Sequence, residues 1–245
     1  MKPIALQLWS VKDVCEKDFF GTLEKISEMG YEGIEFAGYY DQPAQKIKEK
    51  CTDLGLKVVA SHISAEKIVN DLDNVISFEK ELGNNYIVCP YASYDTKNEW
   101  TSFASKLKIA CKKIEESGMT LVYHNHHLEF HKLEDTYILD YLLETVPHLK
   151  AELDTYWIQY AGEDVVSYMS QYKNRTPFIH LKDMKKNPVE STEIGEGILD
   201  ITSFVKQAED QGVEWLIIEQ EAFNKPPLES VEVGLNNLRK LIGGI

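Results

Sequence analysis

Short aliphatic runs alternate with longer amphipathic stretches along the 245 residues. The runs Ile4–Trp9, Gly33–Phe36, Lys57–His62, Tyr86–Cys89, Leu121–His124, Ala151–Asp154, Phe178–Leu181 and Trp215–Glu219 predict eight strands. Between them, apolar residues recur three and four positions apart, which predicts helices. Phe19, Leu23 and Ile26 form one such stripe, Phe103, Leu107, Ala110 and Ile114 a second, and Tyr137, Leu139, Leu142 and Leu143 a third. Gly30, Gly55, Gly83, Gly118 and Gly212 each follow a helical pattern and shortly precede a strand, and Pro147 marks the same junction before the sixth strand. Glycine tolerates the left-handed conformation that ends helices, so this is a weak internal repeat of βα units and predicts a parallel sheet.

An α/β chain of this pattern folds as an open doubly wound sheet or as a closed (β/α)8 barrel. Polar residues fall at the ends of most strands, which suits a barrel drawing its site from many strand ends at one face. No Pro/Gly/Ser-rich linker divides the sequence, and barrels of about 250 residues are single units, so residues 1–245 are expected to form one domain. The longest irregular segment, about Lys185–Leu199, is expected to be a functional or mobile loop.

Side chains alternate faces along a strand. That rule groups His180 with Phe178 and Lys182, Glu219 with Ile217 and Glu221, Glu152 with Asp154, and His124 with His126. It also sets Glu35 opposite Ile34 and Phe36. The aliphatic parity should pack on helices, leaving the charged parity to point into the barrel mouth. Buried charges cost several kcal/mol each unless paired or coordinated, and a cation reconciles converging carboxylates and imidazoles. Asp154, His180 and Glu219, at the ends of three successive strands, are therefore candidate metal ligands. Asp154 alone has the alternative reading of a helix N-cap. His127 and His131 read as solvated loop residues, and His148 lies at the opposite face.

Composition narrows the partners. The net charge of −14 disfavours nucleic acid. No apolar stretch reaches the roughly 18–20 residues of a spanning helix, and no targeting segment is visible, which points to the cytoplasm. Cys15, Cys51, Cys89 and Cys111 include no C-x-x-C pair, and Cys51 and Cys111 read as small hydrophobes on helices. Arginine is limited to Arg175 and Arg239, which disfavours a strongly anionic substrate. Oligomeric state is left open, a homo-oligomer included.

The runs Tyr123-His-Asn-His-His-Leu-Glu-Phe130, Glu152-Leu-Asp-Thr-Tyr-Trp157, His180-Leu-Lys-Asp-Met184 and Ile218-Glu-Gln-Glu221 resemble the xylose isomerase-like TIM barrels, often called sugar phosphate isomerases/epimerases. The resemblance runs from the first strand to the last helix. It implies one divalent metal ion, Mn, Mg, Co or Zn, held by side chains of strands five to eight. In such enzymes these are a Glu, an Asp, a His and a second Glu. Asp154, His180 and Glu219 match the last three. The first position departs, with His124 where a Glu is common and His126 as the alternative ligand. That departure tells against the two-glutamate mechanism of the epimerases. The endonucleases of the superfamily carry a metal-binding histidine where this chain has Trp157, which, with the acidic charge, argues against a nuclease.

The expected activity is isomerisation or epimerisation of a sugar or ketosugar through a metal-stabilised enediolate. Glu219 and His126 are the candidate bases. Lys182 either polarises the substrate oxygen or forms a salt bridge with Glu152 or Glu221. Trp9, Glu35, His62, Tyr91, Trp157 and Glu221 are the expected substrate contacts. One alternative is a lyase of a keto-sugar or keto-cyclitol resembling inosose dehydratases; another is a non-catalytic sugar-binding barrel. Ile194-Gly-Glu-Gly-Ile198 lies where barrels often grip phosphate, but Glu196 would repel it, so an uncharged sugar or cyclitol is expected.

Overall fold

A computed structural model describes residues 2–243; Met1, Gly244 and Ile245, the ends of the expected domain range, lie outside the described residues. Eight parallel strands close into one barrel in chain order, the last pairing with the first. They are β1 (Ile4–Gln7), β2 (Gly33–Phe36), β3 (Lys57–His62), β4 (Tyr86–Cys89), β5 (Thr120–His124), β6 (Lys150–Asp154), β7 (Phe178–Leu181) and β8 (Trp215–Ile218). The principal helices between them are α1 (Phe19–Met29), α2 (Ala44–Leu54), α3 (Leu72–Leu82), α4 (Lys97–Glu116), α5 (Ile138–Thr145), α6 (Val165–Gln171), α7 (Ile201–Gln211) and α8 (Pro227–Ile242). No helix among the described residues is long and apolar enough to cross a membrane.

The period-2 pattern sorts as expected. Ile4, Leu6, Ile34, Phe36, Leu121, Leu153, Ile179, Leu181, Leu216 and Ile218 face outward and share one core with the helices. Each such aliphatic side chain contributes about 1.5–3 kcal/mol when fully buried. The opposite parity fills the barrel floor with Ala5, Val59, Ala60, Val88, Val122, Phe178 and Ile217, flanked by Tyr86 and Trp215. Gly33 belongs to this floor. A Cβ there would meet Val59 Cγ2 at 2.7 Å and Trp215 Cζ3 at 2.9 Å, so the absent side chain makes room for the indole. Helices α1, α2, α3 and α7 end on Gly30, Gly55, Gly83 and Gly212 in the left-handed conformation, as the repeat predicts. Cys51 and Cys111 are buried free thiols on α2 and α4.

Three local features depart from simple alternation. The β2–β3 register slips between Ile34 and Glu35, so β3 carries a bulge. Val59 and Ala60 both turn inward as a result. Counted from Val58, which packs on the outer core, strict alternation would put His62 outside; the extra residue turns it into the barrel. The β1 run stops at Gln7 and continues as a 3-10 turn, Leu8–Val11, which sets Trp9 at the mouth with 44% exposure. The long segment after β7 is partly ordered, with Asp183–Met184 pairing antiparallel to Ser191–Thr192.

Candidate metal centre and substrate cavity

Above the apolar floor, the inward positions become polar at two depths. The lower tier is Gln7, Glu35, His62, Glu152 and the Nε2 edge of His180. The upper tier is His124, Asp154, Lys182, Glu219 and the Nδ1 edge of His180. The expectation that all the charged parity points into the mouth therefore holds only for the upper tier. Glu35 and Glu152 have no solvent exposure and lie beneath it. Of four deeply buried carboxylates, Asp154 and Glu219 face the permanent buried cation Lys182, while Glu35 and Glu152 face the His62 and His180 imidazoles. This is an arrangement that calls for further positive charge.

Asp154 serves two readings at once because it has two oxygens. Oδ1 accepts from the backbone N–H groups of Tyr156 (2.8 Å) and Trp157 (3.1 Å), capping the short helix Thr155–Tyr160. Oδ2 is buried; the Lys182 ammonium lies 3.1 Å from it as an ion pair, without the geometry of a hydrogen bond. His124 Nε2 is also buried and has no hydrogen-bond partner, 3.6 Å from that oxygen. His180 Nδ1 lies 3.8 Å from Asp154 Oδ2 and 3.2 Å from Glu219 Oε2. One donor atom from each of His124, Asp154, His180 and Glu219 falls within 4.8 Å of all the others. Ligands about 2.0–2.2 Å from a common ion are separated by roughly such distances, and two imidazoles with two carboxylates suit a first-row divalent metal. The orphaned atoms and the donor chemistry thus fit an ion. Of the two strand-five histidines, His124 joins the donor set and His126 does not.

Lys182 is fully buried. Its ammonium lies 3.1 Å from Asp154, 2.7 Å from Glu219 and 3.2 Å from Glu221, over the face of Trp157. The structure pairs it with Glu221 and not with Glu152. Burial disfavours the ammonium, but the three carboxylates outweigh that and raise its pKa. In Glu219 burial opposes ionisation, while Lys182 and His180 hold the carboxyl well below its usual range. Glu221 is raised, first by burial and then by Glu219, against the opposing pull of Lys182. Burial also pushes the His126 imidazole down to about 3, with the nearby His124 and Lys182 adding to the effect, so it is neutral at physiological pH.

A cavity of about 510 Å³ opens over the upper tier. Its wall includes Trp9, His62, Tyr91, His124, His126, Glu219 and Glu221. Two other sequence-predicted contacts stand back from it. Glu35 is in the lower tier because β2 ends deeper in the barrel, and Trp157 packs behind His126 and His127 with ring centroids at 5.4 and 5.3 Å. His127, expected in solvent, lines the cavity because the Trp157 and Tyr160 rings hold it there. His131 is exposed, and His148 pairs with Glu115.

Several supporting residues went unnoticed in the sequence. Asn125 Oδ1 accepts from the Asp154 backbone N–H (3.1 Å), tying β5 to β6. Glu129 accepts from the His126 N–H and the Tyr123 hydroxyl, fixing the loop after β5. Ser191 accepts from the N–H groups of Glu221 and Ala222 and so orients the chain beyond β8. Asp183 accepts from the N–H groups of Gly195, Gly197 and Leu199. In the glycine loop read as a phosphate candidate, a carboxylate already occupies these donors.

The model of the family described as xylose isomerase-like TIM barrel matches residues 23–241. An inosose dehydratase of Mesomycoplasma hyopneumoniae is 24% identical, the match covering 98% of this chain and 95% of that protein. The crystal structure of a sugar phosphate isomerase/epimerase from Parabacteroides distasonis superposes with a TM-score of 0.84 at 23% identity, over 96% of this chain and 97% of that one. The IOLI protein, whose crystal structure contains a zinc atom, superposes with a TM-score of 0.82 at 14% identity, over 100% and 99%.

Proposed function

Since the chain belongs to the xylose isomerase-like TIM barrel family, we propose that it is a divalent-metal-dependent dehydratase of an uncharged keto-cyclitol or keto-sugar. The observation that carries this reading is the set of acid–base groups reaching the cavity. An epimerase using two ligated glutamates needs one on strand five, but His124 stands there, and Glu152 beside it is locked in the lower tier. What remains is Glu219 and Glu221 at the end of β8 and the neutral His126 beyond β5. The dehydratase relative supports the same choice.

A divalent ion held by His124, Asp154, His180 and Glu219 would supply Lewis acidity toward a carbonyl and its neighbouring hydroxyl. His126, held in its base form, takes the proton from the carbon next to the carbonyl at an imidazole nitrogen. Glu221, at the cavity wall beside Lys182, gives a proton to the departing β-hydroxyl. The carbon–carbon double bond forms as water leaves, and proton exchange with solvent resets both groups. Lys182 balances the charge of Glu219, and of Glu221 once its proton has gone, and does not reach the substrate. Trp9 and Tyr91, each close to half exposed at the cavity, offer aromatic faces to the C–H face of a polyol ring. Among the described residues lining the cavity there is no Lys or Arg, and two are carboxylates, which favours a neutral substrate.

Isomerisation or epimerisation, the first expectation from the sequence, is the second reading, because it begins with the same proton removal and both Glu219 and His126 reach the cavity. Incubating the protein with Mn²⁺, Co²⁺ or Zn²⁺ and a panel of keto-cyclitols and ketosugars in deuterated water separates the two by mass. The proposed function yields a product lighter by one water. Deuterium uptake without loss of water would establish the second reading, and inertness with every metal would remove both.

A further inference from the structure

The lower tier contains two carboxylates and an imidazole buried directly under the candidate metal ligands. Glu35 leaves β2 and Glu152 leaves β6, and both converge on one atom of β7. His180 Nε2 lies 2.7 Å from Glu35 Oε2 and 2.9 Å from Glu152 Oε1. The same two carboxylates are bridged a second time by His62, whose Nε2 lies 2.9 Å from Glu152 Oε2 and 3.3 Å from Glu35 Oε1. The His62 and His180 rings are stacked, 8° from coplanar. Gln7 completes the frame from β1. Its side-chain Nε2 donates to Glu35 Oε2 at 2.7 Å, and its Oε1 accepts from the Trp9 N–H at 3.0 Å. Strands β2 and β6 therefore each send a carboxylate to one edge of a ring on β7, and strands β1 and β3 each send a side chain to those carboxylates.

Packing alone does not account for this tier. An apolar floor already lies beneath it, and burying two carboxylates costs several kcal/mol unless they are matched. The β3 bulge is what brings His62 into the tier, and bulges of this kind re-aim side chains beside functional sites. The arrangement has one geometric consequence. A proton on Nε2 would be shared between a hydrogen bond to Glu35 Oε2 and an ion contact with Glu152 Oε1, leaving the other nitrogen, Nδ1, toward Glu219 and Asp154 in the upper tier. The nitrogen that meets a metal is set by the hydrogen bond made by the other, and such outer partners typically change metal affinity by 10–100-fold.

Resting on the reading that His124, Asp154, His180 and Glu219 hold a divalent ion, we infer that Glu35 and Glu152 are positioning residues that clamp His180 Nε2–H, with His62 and Gln7 bracing the clamp, so that Nδ1 is presented to the ion. Glu35 and Glu152 act through His180 and touch neither the ion nor the substrate, whereas the other edge of His62 also lines the cavity.

Long-range ¹H–¹⁵N spectra of the zinc-loaded protein, together with Co²⁺ titrations of metal-stripped wild type, Glu35→Gln, Glu152→Gln and the double variant, test this. Glutamine keeps the shape and an acceptor oxygen while removing the charge, and circular dichroism reports whether each variant folds. Expected are a His180 proton on Nε2 with zinc on Nδ1, and Co²⁺ affinity about 10–100-fold weaker in each folded single variant. The double variant should be weaker still, with its visible Co²⁺ spectrum altered. Zinc on Nε2 in the wild type would overturn the inference without recourse to any variant. Unchanged Co²⁺ affinity and spectrum in a folded variant would overturn it as well. A wild type that binds neither metal would instead remove the metal reading on which the inference depends.

Discussion

Replacing Asp154 with asparagine separates the two tasks assigned to its oxygens. Asparagine and aspartate are about equally good helix caps. The side-chain oxygen of the new asparagine is expected to stay on the N–H groups of Tyr156 and Trp157, because the flipped amide would set its donors against theirs. The amide NH2 then takes the place of Oδ2, facing His124 and Lys182. Lys182 retains Glu219 and Glu221, so the metal-free variant should lose no more than about 3 kcal/mol, the upper end for one contact between charged groups. The loss of metal affinity should exceed the roughly 10–100-fold typical of outer partners, which corresponds to more than about 2.7 kcal/mol of binding energy. Asp154→Ala should lose the metal equally and a further 0.5–2 kcal/mol or so of stability from the missing cap. Calorimetric titration with Mn²⁺ or Zn²⁺ and urea unfolding of the metal-stripped proteins give both numbers. Metal affinity within about threefold of wild type in Asp154→Asn would refute the ligand role. Equal stability of the two variants would refute the cap.

Gly33→Ala places a methyl group against Val59 and Trp215 in the barrel floor and should cost about 1–3 kcal/mol in urea unfolding, whereas an unchanged midpoint would show that the floor has slack. In His62, burial works against the cation, but Glu35 and Glu152 prevail and push its pKa up to about 10. Its proton thus stabilises the metal-free fold fully below the unfolded value near 6.5, and that contribution is lost as pH rises through about 10. The stability advantage of wild type over His62→Gln should accordingly shrink between pH 7 and pH 10.5 or so, and a pH-independent difference would contradict the assignment. Phosphorylated forms of any accepted neutral substrate should be turned over at least about 100-fold less efficiently, since Asp183 fills the loop donors and carboxylates line the cavity, so equal turnover would show an anion site elsewhere.

Much of this was legible in the sequence for a physical reason. Outer barrel positions must be aliphatic to meet helices, so Ile179 and Leu181, or Leu216 and Ile218, mark their strands and thereby fix the parity of His180 and the approach to Glu219. Depth in the barrel was not legible. Glu35 and Glu219 both have inward parity, but the stagger of the strands puts one under the other, and stagger is a property of pairing rather than of any local run. The β3 bulge was hidden for the same reason, and without it His62 would be on the wrong face. Asp154 looked like a choice between cap and ligand because a sequence shows a residue and not its two oxygens. The segment after β7 suggested an anion site because its glycines were visible while Asp183, which takes their N–H groups, lies more than ten residues earlier.

Crystals soaked in Mn²⁺ or Zn²⁺ and measured at the metal's absorption edge would locate the ion directly. The predicted result is a single anomalous peak about 2.0–2.3 Å from donor atoms of His124, Asp154, His180 and Glu219. No peak, or a peak seated instead among Glu35, His62 and Glu152, would contradict the assignment of the upper tier as the metal centre.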